Sequence, residues 1–441
     1  MKRLLPLLLC AVLALLCATT AQAAGVSITL TASEYALHYA FDAGAQDPFV
    51  ILEYATPAEK GWMMLYSADG HFEGDVSLAY SGAGGKTSVT LTSARTTGSI
   101  GKASTTLPKA ADYQKPTGKS NAKVTDFVLT ETPEGFHYAF NAAGTDYMLL
   151  YWRSKEQTVT QPVYPDENGH YEGDVISDLT FARTQFTVQV KSGSGSMKKE
   201  ATVRKGYQAP EAPQRQEGRL SGVTVCIDAG HQENGRFVNE PIGPGLSGST
   251  SGKGGMAQGT KTNRRESIVC LEIGMLLRDE LLRQGANVIM TREDQTTFHT
   301  NIERCEIAEA GGAQIMLRLH CNNSSNRSKR GIQVYGPLNS DYAKAVADAD
   351  TYREMGQKLL DAMKTRVGMT LANSTGMVRL NDNHVGNNWA KMMCFLVEMG
   401  YLSNPAEEYL LVTPVYQQWL AEGMADGVYE IAVARGWVQA Q

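Results

Sequence analysis

The sequence predicts a multidomain protein, with two all-β modules followed by an α/β domain whose mostly parallel, twisted sheet carries helices on both faces. Three observations predict this class. The chain of 441 residues is too long for one ordinary domain. Its N-terminal half shows short alternating apolar and polar runs without a long helical period. From about residue 220, near-continuous apolar strands alternate with helical patterns, which is typical of a parallel sheet.

The first 23 residues have the pattern of a signal peptide. Lys2 and Arg3 give a positive start, an apolar run follows, and Ala21-Gln22-Ala23 fits a small-x-small cleavage rule. We therefore expect an exported protein of the cell envelope or extracellular space, with no membrane span in the mature chain. Loss of Lys2 and Arg3 changes the net charge from −5 to 39 − 46 = −7. This acidic balance, without a basic tract, argues against a nucleic-acid partner.

An internal repeat fills the N-terminal half. His38-Tyr-Ala-Phe41 recurs as His137-Tyr-Ala-Phe140, and Gly70-His-Phe-Glu-Gly-Asp-Val76 recurs as Gly169-His-Tyr-Glu-Gly-Asp-Val175. Both motif pairs are 99 residues apart, so the two copies are related by duplication. The motif around Gly70 predicts a turn that leads into a strand, and one histidine in a turn does not make a metal site.

About seven short strands in each copy of roughly 80 residues predict small immunoglobulin- or fibronectin-like β-sandwiches. Segments rich in Pro, Lys and polar residues predict linkers after each copy. The predicted organisation is a signal peptide at 1–23, a first β-sandwich at 24–105, a linker at 106–123, a second β-sandwich at 124–205, a linker at 206–219 and an α/β domain at 220–441.

The α/β domain is predicted from its alternating patterns. One apolar face of a helix runs from Glu266 to Gln284, with leucines and isoleucines at helical spacing. Strands are predicted at 223–228, 287–291, 313–320, 331–336 and 393–398. Further helices are predicted at 301–310, 343–367, 405–411 and 414–434.

Four candidate site residues lie at the ends of these elements. His231 follows the first strand, Glu266 opens a helix, and His320 and Glu398 end two other strands. Since ligands bind at the carboxyl ends of strands in open α/β sheets, we expect the four side chains to converge. Two imidazoles and one carboxylate suit Zn²⁺, with Glu398 left free as a base. Each residue alone also has an ordinary structural explanation, such as Glu266 facing a helix dipole.

The C-terminal domain contains several separated motifs: Ile227-Asp-Ala-Gly-His231, Glu266-Ser-Ile-Val-Cys-Leu-Glu-Ile273, Met290-Thr-Arg-Glu-Asp294, Glu303-Arg-Cys-Glu-Ile-Ala308, Leu317-Arg-Leu-His-Cys-Asn322, Asn388-Trp-Ala-Lys391 and Leu396-Val-Glu-Met-Gly-Tyr-Leu-Ser-Asn-Pro405. In these motifs and their order, the domain resembles the zinc-dependent N-acetylmuramoyl-L-alanine amidases (amidase type 3 family) over about residues 220–436. Departures from the family pattern occur at Ala229, Arg318, Cys321 and Met392-Met-Cys394. None of these departures removes a proposed ligand or base.

The resemblance implies specific roles. His231, Glu266 and His320 would bind zinc, and Glu398 would be the catalytic glutamate. The implied substrate is peptidoglycan, at the amide between the lactyl group of N-acetylmuramic acid and L-alanine. Two alternatives stay open: a zinc peptidase that cleaves within the stem peptide, and a non-catalytic cell-wall-binding protein.

Substrate contacts are predicted for Asn322, Arg318 and His384, with His384 as a candidate to stabilise a developing oxyanion. The segment 232–262 is long and rich in glycine, and we expect it to line the groove or bind substrate. The five cysteines beyond the leader are predicted to be small buried core residues rather than a disulfide framework.

Overall fold

A computed structural model describes most of the chain. The described residues are 19–21, 25–78, 81–96, 98–111, 122–132, 135–145, 147–153, 158–176, 184–192, 195–205, 210–232, 238–250, 255–368 and 377–440. Most of the predicted signal peptide, parts of both predicted linkers and parts of the glycine-rich segment lie outside these residues. The chain divides into two compact units, Met1–Lys115 and Pro116–Gln441. The domain boundaries predicted within these units stay predictions.

The first repeat forms two antiparallel sheets, one with strand order β1-β2-β3-β6 and the other with order β5-β4-β7-β8. One strand, β1 (Thr19–Ala21), lies within the predicted signal peptide and pairs with β2 (Ile28–Ser33). The other strands are β3 (Ala36–Asp42), β4 (Phe49–Ala55), β5 (Lys60–Tyr66), β6 (His71–Ser77), β7 (Gly85–Ser93) and β8 (Ser99–Leu107). Side chains from both sheets share one apolar core, in which Leu30, Leu37, Leu52 and Leu91 are fully buried. Alternation along the strands produces this core, because every second side chain faces inward.

The second repeat has the same plan, with sheets of order β13-β10-β9 and β12-β11-β14-β15. Its strands are β9 (Val124–Thr132), β10 (Gly135–Ala142), β11 (Met148–Arg153), β12 (Thr158–Val163), β13 (His170–Ile176), β14 (Thr184–Ser192) and β15 (Met197–Lys205). The predicted turn into a strand is present in both copies. Gly70 has φ +80° and Gly169 φ +79°, and each is followed by the strand that its motif predicts. A side chain at Gly70 would collide with the backbone of Gly44, so the turn requires glycine.

The C-terminal part contains a six-stranded sheet of order β17-β16-β18-β21-β19-β20, and four of its five described strand pairings are parallel. The strands are β16 (Thr224–Ala229), β17 (Asn287–Met290), β18 (Ile315–Asn322), β19 (Gln333–Gly336), β20 (Met377–Leu380) and β21 (Met393–Tyr401). The helices are α1 (Glu266–Arg283), α2 (Asn301–Ala310), α3 (Asp341–Val346), α4 (Ala349–Val367), α5 (Val385–Trp389), α6 (Glu407–Leu411) and α7 (Pro414–Ala434). The exception to parallel pairing is β19, which runs antiparallel to β21.

Helices cover both faces of this sheet, as predicted. Gly274 of α1 packs near Ile227, Ala229 and Leu319 on one face. Cys305 and Ala308 of α2 pack with Cys226, Met316 and Cys394 on the other. All five described cysteines are free and buried, which confirms that they serve as core residues. Among the described helices, none is both long enough and apolar enough to cross a lipid bilayer.

The predicted long helix at 343–367 is wrong in one respect, because two helices occupy this stretch. Asp348 accepts a hydrogen bond from the Thr351 N–H at 2.8 Å and caps the start of α4, so the chain breaks after α3. At the other end Gly368, with φ +65°, terminates α4. Strand β20 and the short helix α5 were not predicted, since each has only four or five residues.

Candidate active site

The predicted site residues converge at the carboxyl edge of the sheet. His231 lies two residues beyond the end of β16, and Glu266 is the first residue of α1. His320 in β18 and Glu398 in β21 lie directly opposite each other in parallel register. The first three side chains each place one ligand atom within 4.8 Å of the other two. Residues separated by up to 167 positions along the chain therefore lie on one edge, because three of them are near the carboxyl ends of neighbouring strands and the fourth begins α1.

Glu266 stands at the centre of the cluster. Its Oε1 lies 3.4 Å from His231 Nε2 and 2.9 Å from His320 Nδ1. The backbone N–H of Cys321 also donates to Oε1, and that of Ala257 donates to Oε2. Burial opposes ionisation of Glu266, but the hydrogen bonds from both histidines outweigh it and lower its pKa well below the ordinary range. The carboxylate is thus fixed in its charged form between the two imidazoles.

The cluster fits a zinc ion by its chemistry and its spacing. Two imidazole nitrogens and one carboxylate oxygen are the ligands of many catalytic zinc sites, with bonds of about 2.0–2.2 Å. Tetrahedral bonds of that length separate ligand atoms by roughly 3.3 Å, close to the separations of both histidines from Glu266. At His320 this separation is measured from Nδ1, and the other ring nitrogen, Nε2, is buried without a hydrogen-bond partner among the described residues. Burial lowers the pKa of His320, which favours the neutral imidazole that binds metal.

Glu398 has the properties of a proton carrier. Its Oε2 is buried and has no hydrogen-bond partner in the described structure. Burial, together with the negative charge of Glu266, raises the pKa of Glu398 to about 8. A carboxyl with a pKa shifted toward neutrality beside a potential metal site is typical of a general acid or base.

A buried ionic network supports the strand that leads to His231. Asp228 accepts hydrogen bonds from Thr291 at 2.7 Å and from Arg318 Nε at 2.9 Å, and it also pairs with Arg304. Burial would raise the pKa of Asp228, but the two arginines hold it far below its ordinary range. The network thus stabilises the end of β16 from below the site.

Arg292 ties the two ligand-bearing segments together. Its guanidinium donates to the carbonyls of Ala229 at 2.5 Å and Gly230 at 3.3 Å, just before His231, and to the carbonyl of Ser267 at 2.7 Å, just after Glu266. Burial lowers the pKa of Arg292 to about 9. One side chain therefore fixes the separation between the end of β16 and the start of α1.

The three predicted substrate contacts occupy different positions. Asn322 donates from Nδ2 to Gln333 Oε1 at 3.2 Å, and Gln333 is the residue that pairs with Glu398 across β19 and β21. His384 packs its ring against Tyr335, with centroids 5.0 Å apart, and burial lowers its pKa to about 4. Arg318 is buried and bonds Asp228 and Asn301. Its direct contact with substrate stays a prediction, and this burial favours a supporting role.

The glycine-rich segment is anchored where it is described. The Glu240 carboxylate accepts hydrogen bonds from Asn301 and from the N–H of Ile302 at the start of α2. Trp389 Nε1 donates to the carbonyl of Pro241 at 2.9 Å, and Asn388 Nδ2 donates to that of Ile242 at 3.0 Å. A carboxylate at a helix N-terminus is stabilised by the free N–H groups there. Contact between this segment and a substrate stays a prediction.

The sequence reasoning did not identify Gln333, although it lies directly opposite Glu398 in the antiparallel pairing of β19 and β21. Gln333 is 5% exposed. A signal was present in the sequence, because Gln333 is a polar residue within the apolar strand Ile332-Gln-Val-Tyr335. Buried polar residues need hydrogen-bond partners and often mark a site.

The fold and the site are those of an α/β domain with a His-Glu-His cluster that could hold a metal ion and an adjacent glutamate whose Oε2 is buried. Residues 225–430 match the family model described as N-acetylmuramoyl-L-alanine amidase.

Curated relatives and solved structures are similar over the same region. The germination-specific N-acetylmuramoyl-L-alanine amidase of Bacillus subtilis is 26% identical over 231 residues, which cover 49% of this chain and 83% of that protein. A probable cell wall amidase, LytH, of Staphylococcus aureus is 26% identical over 218 residues, covering 48% of this chain and 60% of the staphylococcal protein. The apo form of the amidase Ami1 from Mycobacterium abscessus is 20% identical with a TM-score of 0.43, covering 48% of this chain and 99% of that one.

Proposed function

We propose that this protein is an exported peptidoglycan hydrolase that cleaves the amide between the lactyl group of N-acetylmuramic acid and L-alanine. The observation that carries the proposal is the His231-Glu266-His320 cluster beside the unpartnered carboxyl of Glu398, within a domain that matches the amidase family model. His231, Glu266 and His320 hold Zn²⁺, and Glu398 is the general base. The two β modules, as immunoglobulin- or fibronectin-like sandwiches, position the enzyme on the cell wall or act as spacers.

When bound at the cluster, zinc activates water and polarises a carbonyl group. Glu266 contributes a carboxylate that is already ionised, and Arg292 holds the backbone on both sides of the cluster. Positive charge at the cluster favours the ionised form of Glu398, since an opposite charge nearby lowers the pKa of a carboxyl group. Glu398 then accepts the proton of the attacking water and transfers it to the leaving alanine nitrogen.

The burial of Glu398 makes it suitable for both proton transfers. A fully solvated carboxylate with an ordinary pKa would be a weaker base and a poor acid for an amine leaving group. Since no donor among the described residues bonds its Oε2, that oxygen is available to accept the proton. The supporting residues Asp228, Arg304 and Arg318 act through the backbone and do not touch the reacting atoms in this scheme.

The test is digestion of purified cell wall by the wild-type protein and by the variant Glu398→Gln. We expect new L-alanine amino termini with the wild type and a loss of about 10²- to 10⁴-fold in rate with the variant, the usual contribution of a general base. Glu309→Gln, at an exposed carboxylate paired with Lys391, is the matched control and should keep full activity. Equal activity of Glu398→Gln and wild type would show that Glu398 is not the base.

Two other outcomes separate the alternative functions. Mass analysis that finds muropeptides shortened inside the stem, without free stem peptides, would indicate a peptidase. Absence of stoichiometric zinc from the purified protein, together with no hydrolysis, would indicate a wall-binding protein that has only the fold.

A further inference from the structure

Three neighbouring strands present polar side chains in one row across the sheet. His320 of β18 lies opposite Glu398 of β21, and Glu398 lies opposite Gln333 of β19. Residues that are directly opposite on adjacent strands project from the same face of a sheet. The row therefore runs from the metal cluster, through the base, to Gln333. The roles proposed above for His320 and Glu398 leave Gln333 without a function.

Hydrogen bonds fix the orientation of the Gln333 amide. The backbone N–H of Asn323 donates to Asn322 Oδ1 at 2.8 Å, so the Nδ2 group of Asn322 must face the other way. That Nδ2 donates to Gln333 Oε1 at 3.2 Å, and the Tyr335 hydroxyl donates to the same oxygen at 2.6 Å. Because a backbone N–H can only donate, these contacts determine which side-chain atom of Asn322 and of Gln333 is the oxygen and which is the nitrogen.

The opposite end of the Gln333 amide has no partner. Its Nε2 group makes no hydrogen bond to any described residue, whereas its Oε1 accepts two. Gln333 as a residue is 5% exposed. An amide N–H without a protein partner, on a mostly buried residue beside a candidate base, is available to donate a hydrogen bond to a ligand acceptor.

We propose that Gln333 is a specificity-determining residue that donates its Nε2 hydrogen bond to a peptide carbonyl on the leaving-group side of the substrate. This inference rests on the proposed amidase function. Asn322 is a positioning residue that acts through the Gln333 amide. The ligand chemistry is a carbonyl oxygen of the first peptide unit beyond the scissile amide.

The order of groups along the row determines which side of the substrate Gln333 contacts. The scissile carbonyl must lie at the metal cluster and the leaving nitrogen near Glu398, which protonates it. Adjacent strands are about 4.8 Å apart, and an extended peptide advances by roughly 3.3–3.6 Å per residue. A substrate that continues in the same direction places the carbonyl of its L-alanine within reach of Gln333. The sugar then extends the other way.

A substrate without that carbonyl leaves the Gln333 amide unpaired in the complex. Loss of one buried hydrogen bond of this kind corresponds to about a 10- to 100-fold change in kcat/KM. Two amide substrates distinguish this effect. One is N-acetylmuramoyl-L-alanyl-D-isoglutamine, which has the carbonyl. The other is the N-ethylamide of N-acetylmuramic acid, in which the alanine carboxyl carbon is absent.

The experiment uses the zinc-loaded full chain and the variant Gln333→Met, which keeps the size of the side chain but has no N–H. We expect the dipeptide substrate to lose about 10- to 100-fold in kcat/KM while cleavage of the ethylamide is unchanged. Gln357→Met, an exposed substitution on α4, is the matched control and should not affect either substrate. An equal loss for both substrates, or no loss for either, overturns the proposal.

Asn322→Asp provides a second variant that leaves Gln333 in place. An aspartate has no N–H to donate, so the Gln333 amide must turn its Nε2 group toward the new carboxylate. We expect the same selective loss on the dipeptide substrate, although Gln333 itself is intact. Retention of the wild-type preference in this variant would contradict the assigned orientation of the amide.

A binding measurement separates this proposal from the proposed function. The side-chain amide signals of Gln333, assigned by their absence in Gln333→Met, are followed by NMR in the Glu398→Gln protein as L-alanyl-D-isoglutamine is added. A shift of these signals supports the contact, even if the wild type hydrolyses neither substrate and the amidase assignment fails. Binding of the peptide without a shift overturns the contact while leaving the amidase assignment intact, and so does the absence of any binding.

Discussion

Two regions of the protein combine two histidines with a glutamate, but only one of them has the features of a catalytic site. In the first repeat, His38 and His71 lie on the same sheet face as Glu73, with Nε2 to carboxylate distances of 3.3 and 3.8 Å. In the C-terminal domain, His231 and His320 lie 3.4 and 2.9 Å from Glu266. The residue types and the distances are similar, so they do not explain the difference.

The difference lies in burial and in hydrogen-bond partners. The Glu73 side chain is 59% exposed, whereas that of Glu266 is 4% exposed. The Nδ1 atoms of His38 and His71 pair with Asp75 and Asp42, and these side chains are exposed. In the buried cluster, by contrast, His320 Nε2 and Glu398 Oε2 remain unpartnered. Within the described part of the chain, only the group of His231, Glu266 and His320 brings three metal-ligating atoms within 4.8 Å of one another.

The second repeat shows that the exposed row tolerates chemical change. His137 and Glu172 keep the contact of His38 and Glu73, at 3.2 Å. Asn141, however, stands where the first copy has Asp42, and its Oδ1 lies 2.8 Å from His170 Nδ1. A carboxamide therefore replaces a carboxylate without disturbing the geometry. Such freedom is typical of surface pairs, which contribute little to stability.

The largest expected effect concerns zinc binding. Glu266→Gln removes a charged ligand, and we expect zinc affinity to fall by more than about 100-fold, because even outer partners of metal ligands contribute about 10- to 100-fold. Hydrolysis should be lost with the metal. Competition with a chromophoric chelator measures the affinity. The matched variant Glu73→Gln should change neither zinc content nor activity, and loss of one zinc per chain from it would break the contrast between the regions.

The second largest effect is expected in the free energy of unfolding. Asp228→Asn leaves Arg304 and Arg318 without their buried counter-charge, and removing one partner of a buried ion pair typically costs about 3–5 kcal/mol. The exposed substitution Asp75→Asn should stay within about 0.5 kcal/mol. Hydrogen exchange of the amides in β16 and in β3 of the full chain measures both effects locally. Similar changes in the two strands would mean that burial does not set the energetic difference.

The smallest effects are expected in histidine titration. Hydrogen bonding to Asp42 raises the pKa of His71, so this imidazole should keep its charge above pH 6.5. Burial lowers the pKa of His384 to about 4, so this ring should stay neutral until the pH falls below that value. Between pH 6.5 and about 4, His384 binds a proton in the unfolded chain but not in the folded one. The free energy of unfolding therefore has its full His384 contribution above pH 6.5 and loses it as the pH falls toward 4.

NMR titration of the ring resonances measures both values. Asp42→Asn reproduces the arrangement of the second repeat and should lower the pKa of His71, with no effect on His384. If the two rings titrate together near 6.5, neither environment shifts its histidine as described.

Much of the candidate site was predictable because residue type and element end are visible in a sequence. His231 follows a strand and Glu266 begins a helix, as predicted, whereas β18 continues to Asn322 and β21 to Tyr401, beyond the predicted strand ends at His320 and Glu398. All four still lie toward one edge, because the carboxyl ends of parallel strands share an edge of the sheet. Arg318 shows what this reasoning does not reach. Its predicted substrate contact stays a prediction, and its side chain bonds Asp228 on the neighbouring strand, an interaction that no local pattern indicates.

The chain itself determined the duplication, the alternation of strands and helices, and the presence of a His-Glu-His set with a spare glutamate, since these depend on residue order and periodicity. The tertiary structure decided which polar groups lost access to water. Strand order sets β19 antiparallel beside β21, and this pairing places Gln333 next to Glu398. The tertiary structure also buries Glu266 and most of His320, whereas Glu73 and His71 of the first repeat stay exposed. Burial depends on what packs over a residue, and the groups around Glu266 come from distant parts of the chain.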